Sequence, residues 1–393
     1  MRDSKDEPPG GGRPAEAAEA ERIRVREDLA ALARPRRTGS PGAAEAESVL
    51  RARLEALGYE ITEHPFSFSA WPGRFGLPAL GALHLAGAVS AAWFMARGSP
   101  GAAASVLFLV AAAAWVAGVN ARRMIERLPW GRMTATNWLA VRPGARPRFV
   151  VVAHRDTKSQ VPSTLFRGLG LALVIGSWVL LFALALTGAV YAFRSPALTS
   201  VVVLLALVGG GTLLLCWAGN RSPGALDNAS GLAALLAVAR RERAADDVAF
   251  LITDAEELGL AGAYAMAPKL AGVKAVINLD GLDDHGPFRV LERFGLPKRG
   301  LAPWVAAGVL AAAEELGFEV ERRDVPFGLS VDHIAFARAG YPAVTITRGT
   351  LRSLLRVHRP GDDVEHLSGD GAAAGAALVS RSLRALRSGP TVR

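Results

Sequence analysis

The chain holds one cysteine, Cys216. No intramolecular disulfide can staple it and no thiolate cluster can form, so any metal site must be built from histidine and carboxylate. A lone thiol also suits a reducing compartment. Blocks of one charge sign are absent as well. The formal net charge is +9, yet the arginines are scattered and no basic run is interleaved with aromatics. That argues against nucleic acid as a partner and leaves attraction to an anionic lipid surface as the simpler account of the excess. Residues 1–20 are acidic, rich in Gly and Pro, and lack the apolar core of a signal peptide. Residues 1–22 are expected to form a disordered tail.

Charge is missing altogether from four stretches, residues 76–96, 101–119, 168–193 and 197–218. A helix needs about 20 apolar residues to cross the hydrocarbon core, and these stretches are of that order. The breaks between them are Arg97-Gly98-Ser99-Pro100 and Arg194-Ser195-Pro196. The pattern predicts two transmembrane helical hairpins, residues 76–121 and 165–218. A hairpin returns the chain to its starting side, so every soluble segment lies on one face of the bilayer. Arg74, Arg122, Arg123, Arg127, Arg167 and Arg221 flank that face, whereas each far turn carries a single arginine. The positive-inside bias therefore predicts a multi-pass plasma-membrane protein with its soluble domain in the cytoplasm.

The remaining residues, 23–75, 122–164 and 219–390, read as one domain. Residues 23–57 show helical spacing broken at Pro35 and Pro41, and residues 59–68 alternate as a strand. Residues 137–141 and 149–153 are two further strands around a Pro/Gly turn. Residues 248–253, 275–279 and 343–346 are apolar runs of the kind a buried parallel strand requires. Residues 232–241, 301–316 and 369–386 have the spacing of helices. Alternation of the two types predicts an α/β fold with a mixed or parallel sheet in three α/β/α layers.

The chemistry gathers at the strand ends. Glu256-Glu257 lies in the turn after the run that ends at Thr253. In open α/β sheets the carboxyl edge is where sites are built. Two adjacent acids there can divide labour, one binding a metal and the other moving a proton. His154 and Asp156 follow residues 149–153. Asp227 stands in Leu226-Asp227-Asn228-Ala229-Ser230-Gly231, just before a helical pattern. Asp280 ends residues 275–279, and His358 lies a short loop beyond residues 343–346. Strands of one parallel sheet converge at that edge, so these residues can meet in space. Two histidines with several carboxylates suit zinc or another divalent first-row ion.

His-x-Asp, Asp-Asn-Ala-Ser-Gly, Glu-Glu-x-Gly, Asn-Leu-Asp and His-x-Pro occur in this order, with Thr38-Gly39-Ser40-Pro41-Gly42 before them and Asp332-His333 before the last. The set resembles the co-catalytic di-zinc aminopeptidases, family twenty-eight of the metallopeptidases, whose relatives include glutamate carboxypeptidases and glutaminyl cyclases. The resemblance implies an exopeptidase acting on peptides with two zinc ions per chain. His154 and Asp280 would bind one ion, Glu257 and His358 the other, and Asp227 would bridge them. Glu256 would be the general base towards water, and Asp156 would orient His154.

The sequence departs from that family at Val357, where many members carry a tyrosine, and at Leu226, often a second aspartate. It also departs in the long uncharged insertion between Asp156 and Asp227. Carboxypeptidase action is a second expectation, since His154-Arg155-Asp156 resembles that branch as much. Glutaminyl-cyclase-like acyl transfer with one zinc is a third. A non-catalytic scaffold is disfavoured because no ligand is missing. The insertion tethers the mouth of the site to the bilayer, either to meet substrates arriving from the membrane or only as an anchor. His333 is open between a role beside the metals and a helix start. Arg348 and Arg352 read as solvated loop charges rather than readers of a substrate carboxylate, and His64, His84, His285 and His366 as structural. The oligomeric state is open.

Overall fold

The computed structural model describes residues 12–388. In chain order its elements are α1 (Gly12–Leu32), α2 (Pro41–Ala56), β1 (Glu60–Ser69), α3 (Trp71–Ala96), α4 (Pro100–Val119), α5 (Ala121–Arg127), β2 (Arg132–Val141), β3 (Phe149–His154), α6 (Thr164–Tyr191) and α7 (Pro196–Leu214). There follow α8 (Ser230–Arg241), β4 (Val248–Thr253), α9 (Ala261–Met266), β5 (Ala275–Leu282), β6 (Phe288–Arg293), α10 (Pro303–Leu316), β7 (Val320–Asp324), α11 (His333–Arg338), β8 (Ala343–Arg348), α12 (Leu351–Arg356) and α13 (Asp370–Arg387).

The strands form one eight-stranded sheet in the order β1-β2-β4-β3-β5-β8-β6-β7. Its centre, β4, β3, β5 and β8, is parallel. Every residue of β3 and β4 is buried. This is why those strands read as unbroken apolar runs rather than alternating ones. Helices α1, α2, α8, α10 and α13 pack on one face, and α9 and α11 on the other. The expected three layers are thus present. Strand β6 and the edge strand β7 were not expected. β7, Val320-Glu321-Arg322-Arg323-Asp324, is mostly charged, and it is held by ion pairs such as Arg322–Glu292 and Arg293–Asp324 at 2.5 and 2.8 Å. Charge of this kind protects an exposed edge from pairing with another sheet.

The expected tail of residues 1–22 needs correction. Residues 1–11 lie outside the described residues, but residues 12–22 belong to α1. Ala and Glu dominate the first half of that helix and favour it locally. Its second half then buries Val25, Leu29 and Leu32, one face at helical spacing, in the core beside α8.

Helices α3, α4, α6 and α7 are each long and apolar enough to cross a membrane. They lie where the uncharged stretches predicted. The two hairpins pack as one four-helix bundle, with α3 against α4 and α7, and α6 against the same two. Glycine allows the close approach. A Cβ at Gly81 in α3 would stand 2.6 Å from the Gly210 carbonyl oxygen of α7, and one at Gly209 would stand 3.1 Å from that of Gly170 in α6. Small residues at the contact are how helices associate where lipid competes equally for apolar side chains. His84, read as structural, brings its Nε2 3.3 Å from Ser177 Oγ of α6. The far turns meet as well, since the Arg194 guanidinium lies against Gly98.

β1 is antiparallel to β2, and β2 to β4, so β1 runs in the same sense as the central strands. Helix α3 follows the end of β1, and α6 follows the end of β3. Both hairpins therefore spring from the carboxyl edge of the sheet.

Candidate active site

Strand β3 lies between β4 and β5, and the sheet-covering helices that follow β3 and β4, α8 and α9, pack on opposite faces of the sheet, so a crevice opens beyond its carboxyl end. His154 is the last residue of β3. Glu256 and Glu257 lie in the turn after β4. Asp280 sits within β5 rather than beyond it, where the pairing with β8 shifts register between Leu279 and Leu282. Its carboxylate lies in the crevice, on the His154 side. Asp227 comes from the segment Ala225–Ala229 that leads into α8, and His358 from the loop after α12.

These residues meet as two groups that could each hold a metal ion: His154, Asp227 and Asp280, and Asp227, Glu257 and His358. Asp227 is common to both. Its Oδ1 lies 3.1 Å from His154 Nε2 and its Oδ2 3.0 Å from His358 Nε2. Asp280 Oδ1 is 3.8 Å from His154 Nε2, and Glu257 Oε1 is 2.9 Å from His358 Nε2. His154, Glu257 and His358 are buried, whereas Asp227 and Asp280 are partly exposed. Solvent thus reaches the shared carboxylate.

Glu256 belongs to neither group but is buried beside them. Burial pushes its carboxyl well above the ordinary carboxylate range, with His154 opposing and Glu257, Asp280 and Asp332 reinforcing the shift. Burial would likewise raise Glu257, but His358 and Lys158 outweigh it and hold that carboxyl down at about 2. The two members of the doublet are therefore driven apart, Glu256 towards higher proton affinity and Glu257 towards the ionised form. Burial would also raise Asp227, yet hydrogen bonds with both histidines hold it well below its usual value.

Asp156 organises the doublet. Its Oδ1 and Oδ2 accept the backbone N–H groups of Glu256 and Glu257 at 3.0 and 3.1 Å, and its Oδ1 lies 3.5 Å from His154 Nδ1. The main-chain oxygen of Asp156 is nearer that ring nitrogen, at 3.1 Å.

Other residues position the site that the sequence did not single out. Asp362 accepts the N–H groups of Leu226 and Asp227 at 2.8 and 3.2 Å. The buried Arg36 guanidinium donates to the carbonyls of Pro223 and Gly224 at 2.6 and 3.0 Å. Lys158 Nζ stands 2.5 Å from Glu257 Oε2. His358 adopts a left-handed backbone, φ +66°, uncommon outside glycine. It is braced by the Gln160 N–H donating to its carbonyl at 2.8 Å.

The other expectations are settled by their contacts. His333 opens α11, with Nδ1 2.7 Å from Thr345 Oγ1 and its ring edge-on to Phe294, so it is a helix-start residue of the core. Its neighbour Asp332 accepts from Thr253 Oγ1, and burial pushes its carboxyl up to about 7. Arg348 donates to the Gly286 carbonyl at 2.9 Å and stacks over Phe288, while Arg352 is exposed. Val357 packs against the main core.

The model of peptidase family M28 matches residues 207–383. That range includes Asp227, both glutamates, Asp280 and His358. His154 and Asp156 precede it, across the inserted helices. Aminopeptidase YwaD of Bacillus subtilis (strain 168) is 29% identical over 158 residues, 37% of this chain, and the match spans 34% of that relative's length. Among solved structures, glutaminyl cyclase of Porphyromonas gingivalis superposes with a TM-score of 0.54 at 17% identity, covering 93% of this chain and 97% of its own. BSAP, a zinc aminopeptidase from Bacillus subtilis, superposes with a TM-score of 0.53 at 14% identity, covering 93% and 94%. At such identities the superpositions speak for the fold.

Proposed function

We propose that this chain, a member of peptidase family M28, is a membrane-embedded, zinc-dependent exopeptidase that removes N-terminal residues from peptides. Asp227 is the observation that carries the reading: one carboxylate presents an oxygen to each of two histidines, at 3.1 and 3.0 Å, an arrangement suited to a pair of ions. The donor set fits zinc, with histidine nitrogen and carboxylate oxygen and no thiolate. Apart from the close approaches of His358 Nε2 to Glu257 Oε1 and Asp227 Oδ2, the buried atoms Glu257 Oε1 and His358 Nε2 find no hydrogen-bond partner. Buried polar atoms left so are costly unless a cation completes them. His154 and Asp280 would hold one zinc, Glu257 and His358 the other, and Asp227 both.

Two zinc ions bound there would make water nucleophilic near neutral pH and polarise the scissile carbonyl. Glu256 supplies proton transfer. Its carboxylate accepts a proton from the attacking water and returns it to the leaving amine, the work for which a carboxyl with a raised pKa is matched. Asp156 keeps the doublet in register through the two backbone N–H groups and sets the His154 ring. Val357 offers no hydroxyl to the developing oxyanion, and Lys158, on Glu257, is a cation within the site.

The bundle would span the membrane with the catalytic domain on the cytoplasmic face. Arg74, Arg122, Arg123 and Arg127 support that orientation by lying at the domain-side ends of α3 and α4. Protease added to right-side-out vesicles should leave the domain intact, and cutting from outside would reverse the topology.

The test of function is metal analysis of detergent-purified protein, then peptides blocked at one end. Two zinc ions per chain, cleavage of C-amidated peptides and resistance of N-acetylated ones are expected. The opposite end preference would make it a carboxypeptidase. Ammonia release from N-terminal glutamine with no amino acid freed would make it a cyclase.

A further inference from the structure

Apolar surface is also exposed on the catalytic domain. Phe327 is 69% exposed and Leu351 61%, and Leu354 and Leu355 are exposed too. They lie on two segments that flank α6. Residues 326–329 form a turn between β7 and α11, closed by the Leu329 N–H donating to the Pro326 carbonyl at 3.1 Å. Gly328 in that turn has φ +84°, and a Cβ on it would stand 2.9 Å from Leu171 Cδ2 of α6. Only glycine meets both demands.

The second segment is α12, which packs against α6. Its inner side is polar and anchored. Ser353 Oγ and Arg356 Nη2 both donate to Asp283 Oδ2, at 2.6 and 2.8 Å. Its outer side presents Leu351, Leu354 and Leu355 at helical spacing, with Arg352 exposed beside them.

The level of these segments along α6 is fixed by Leu171. It lies seven residues into the helix, about 10 Å from its start at 1.5 Å per residue, and four beyond Arg167, the last charge before residues 168–193. Leu169 of α6 is exposed about 3 Å from that level, and Phe166 is exposed about 7.5 Å nearer the start of the helix. The 326–329 turn therefore lies beside the start of the uncharged run, not above it.

We propose that the 326–329 turn and α12 form a rim seated in the interfacial layer of a phospholipid bilayer beside α6. The proposal rests on reading α3, α4, α6 and α7 as membrane spans. Phe327, Leu351, Leu354 and Leu355 enter the boundary between headgroups and acyl chains, and Arg352 meets lipid phosphate, the division of labour of an interfacial amphipathic helix. The surface is continuous with the apolar flank of α6, so the lipid that surrounds the span also covers the rim. Because α12 ends two residues before His358, the bilayer surface is brought to the loop that bears a ligand. A peptide partitioned at the interface thus meets the site without first leaving the lipid.

Cys216 is buried and is the chain's one cysteine, so a Cys216→Ala background permits site-specific labelling. Four variants, Phe327→Cys, Leu354→Cys, Leu204→Cys on the exposed flank of α7, and Glu315→Cys on the exposed side of α10, would carry an environment-sensitive fluorophore. The full chain would be reconstituted in phosphatidylcholine–phosphatidylglycerol vesicles containing lipids with a nitroxide near the headgroup or deep in the acyl chain. The labels at 327 and 354 should be quenched several-fold more by the shallow nitroxide, the label at 204 more by the deep one, and the label at 315 by neither. Should 327 and 354 behave like 315 while 204 is quenched, the rim is wrong and the spans stand. Should 204 also escape quenching, the spanning reading fails and the rim falls with it.

Discussion

Thr164 Oγ1 lies 3.2 Å from His358 Nδ1. Thr164 is the first residue of α6, so the imidazole assigned to one zinc is braced from behind by the base of an apolar helix. Were Nε2 to ligate an ion, Nδ1 would carry the proton and donate to the threonine oxygen. Around it, Arg167 of α6 donates to Gln160 Oε1 at 3.2 Å, and the Gln160 N–H holds the His358 carbonyl. An inserted apolar helix thereby reaches the candidate site through three residues. Partners behind a ligand are generally worth about 10- to 100-fold in metal affinity. Thr164→Val should weaken retention of zinc against a graded chelator by about tenfold, and Thr164→Ser should restore it. Equal retention in the valine variant would uncouple α6 from the site.

The glutamate doublet separates two kinds of loss. Glu256→Gln keeps the shape of the side chain and removes the proton acceptor. It should lower kcat by about 10²- to 10⁴-fold with zinc content unchanged. Glu257→Gln removes a ligand charge and should lower zinc content itself. Elemental analysis beside steady-state kinetics tells them apart. Full activity in a clean Glu256→Gln preparation would reverse the assignment.

Metal removal should be felt by the fold as well as by the chemistry. Asp156, Asp227, Glu256, Glu257 and Asp280 converge on one crevice, where the Lys158 ammonium and the imidazoles of His154 and His358 are the nitrogen groups in contact with their carboxylates. Burying that much like charge is unfavourable without a counter-ion. Zinc at about 100 times its dissociation constant stabilises a folded site by about 2.7 kcal/mol. Chelation should abolish turnover and lower the Tm in detergent, and adding zinc back should restore both. An unchanged Tm with lost activity would confine the metals to catalysis.

Most of the candidate site was legible in the sequence because His154, Asp227, Glu256, Glu257 and Asp280 each stand against a strand or helix with a strong local signature. Val150-Val151-Val152-Ala153 can only be a buried run, and it delivers His154 to the edge of the sheet. The four long apolar helices were legible for the same reason, since uniform apolarity over about 20 residues marks each of them in the sequence. That uniformity is also why their packing was not legible: a helix apolar all round gives no face with which to choose a neighbour, and the choice rests on Gly81, Gly170, Gly209 and Gly210. β6 and β7 escaped notice because charged residues interrupt both, Arg289, Glu292 and Arg293 in the one and Glu321 to Asp324 in the other, and leave no apolar run. Arg36, Thr164 and Asp362 escaped because their partners lie over a hundred residues away in sequence. Nothing local marks an arginine as the clamp on two distant carbonyls.

Asp362 carries the last prediction. Its two carboxylate oxygens take the backbone N–H groups of Leu226 and Asp227, and its own main-chain oxygen accepts from the Ala225 N–H at 3.0 Å. The residue that presents the shared ligand is thus held by its backbone, leaving both Asp227 oxygens free to point at the histidines. Hydrogen bonds to a charged acceptor contribute about 1.5–3 kcal/mol each. Asp362→Ala should therefore loosen both metal positions together, whereas Asp280→Asn should weaken only the one shared with His154. Asp362→Asn, with one oxygen left to accept, should fall between Ala and the unchanged chain. Cobalt substitution would read this directly, because two ions in one crevice give separable changes in visible absorption as each is titrated. Loss of a single cobalt in Asp362→Ala would mean that the loop holds one ligand set and that Asp227 does not serve both.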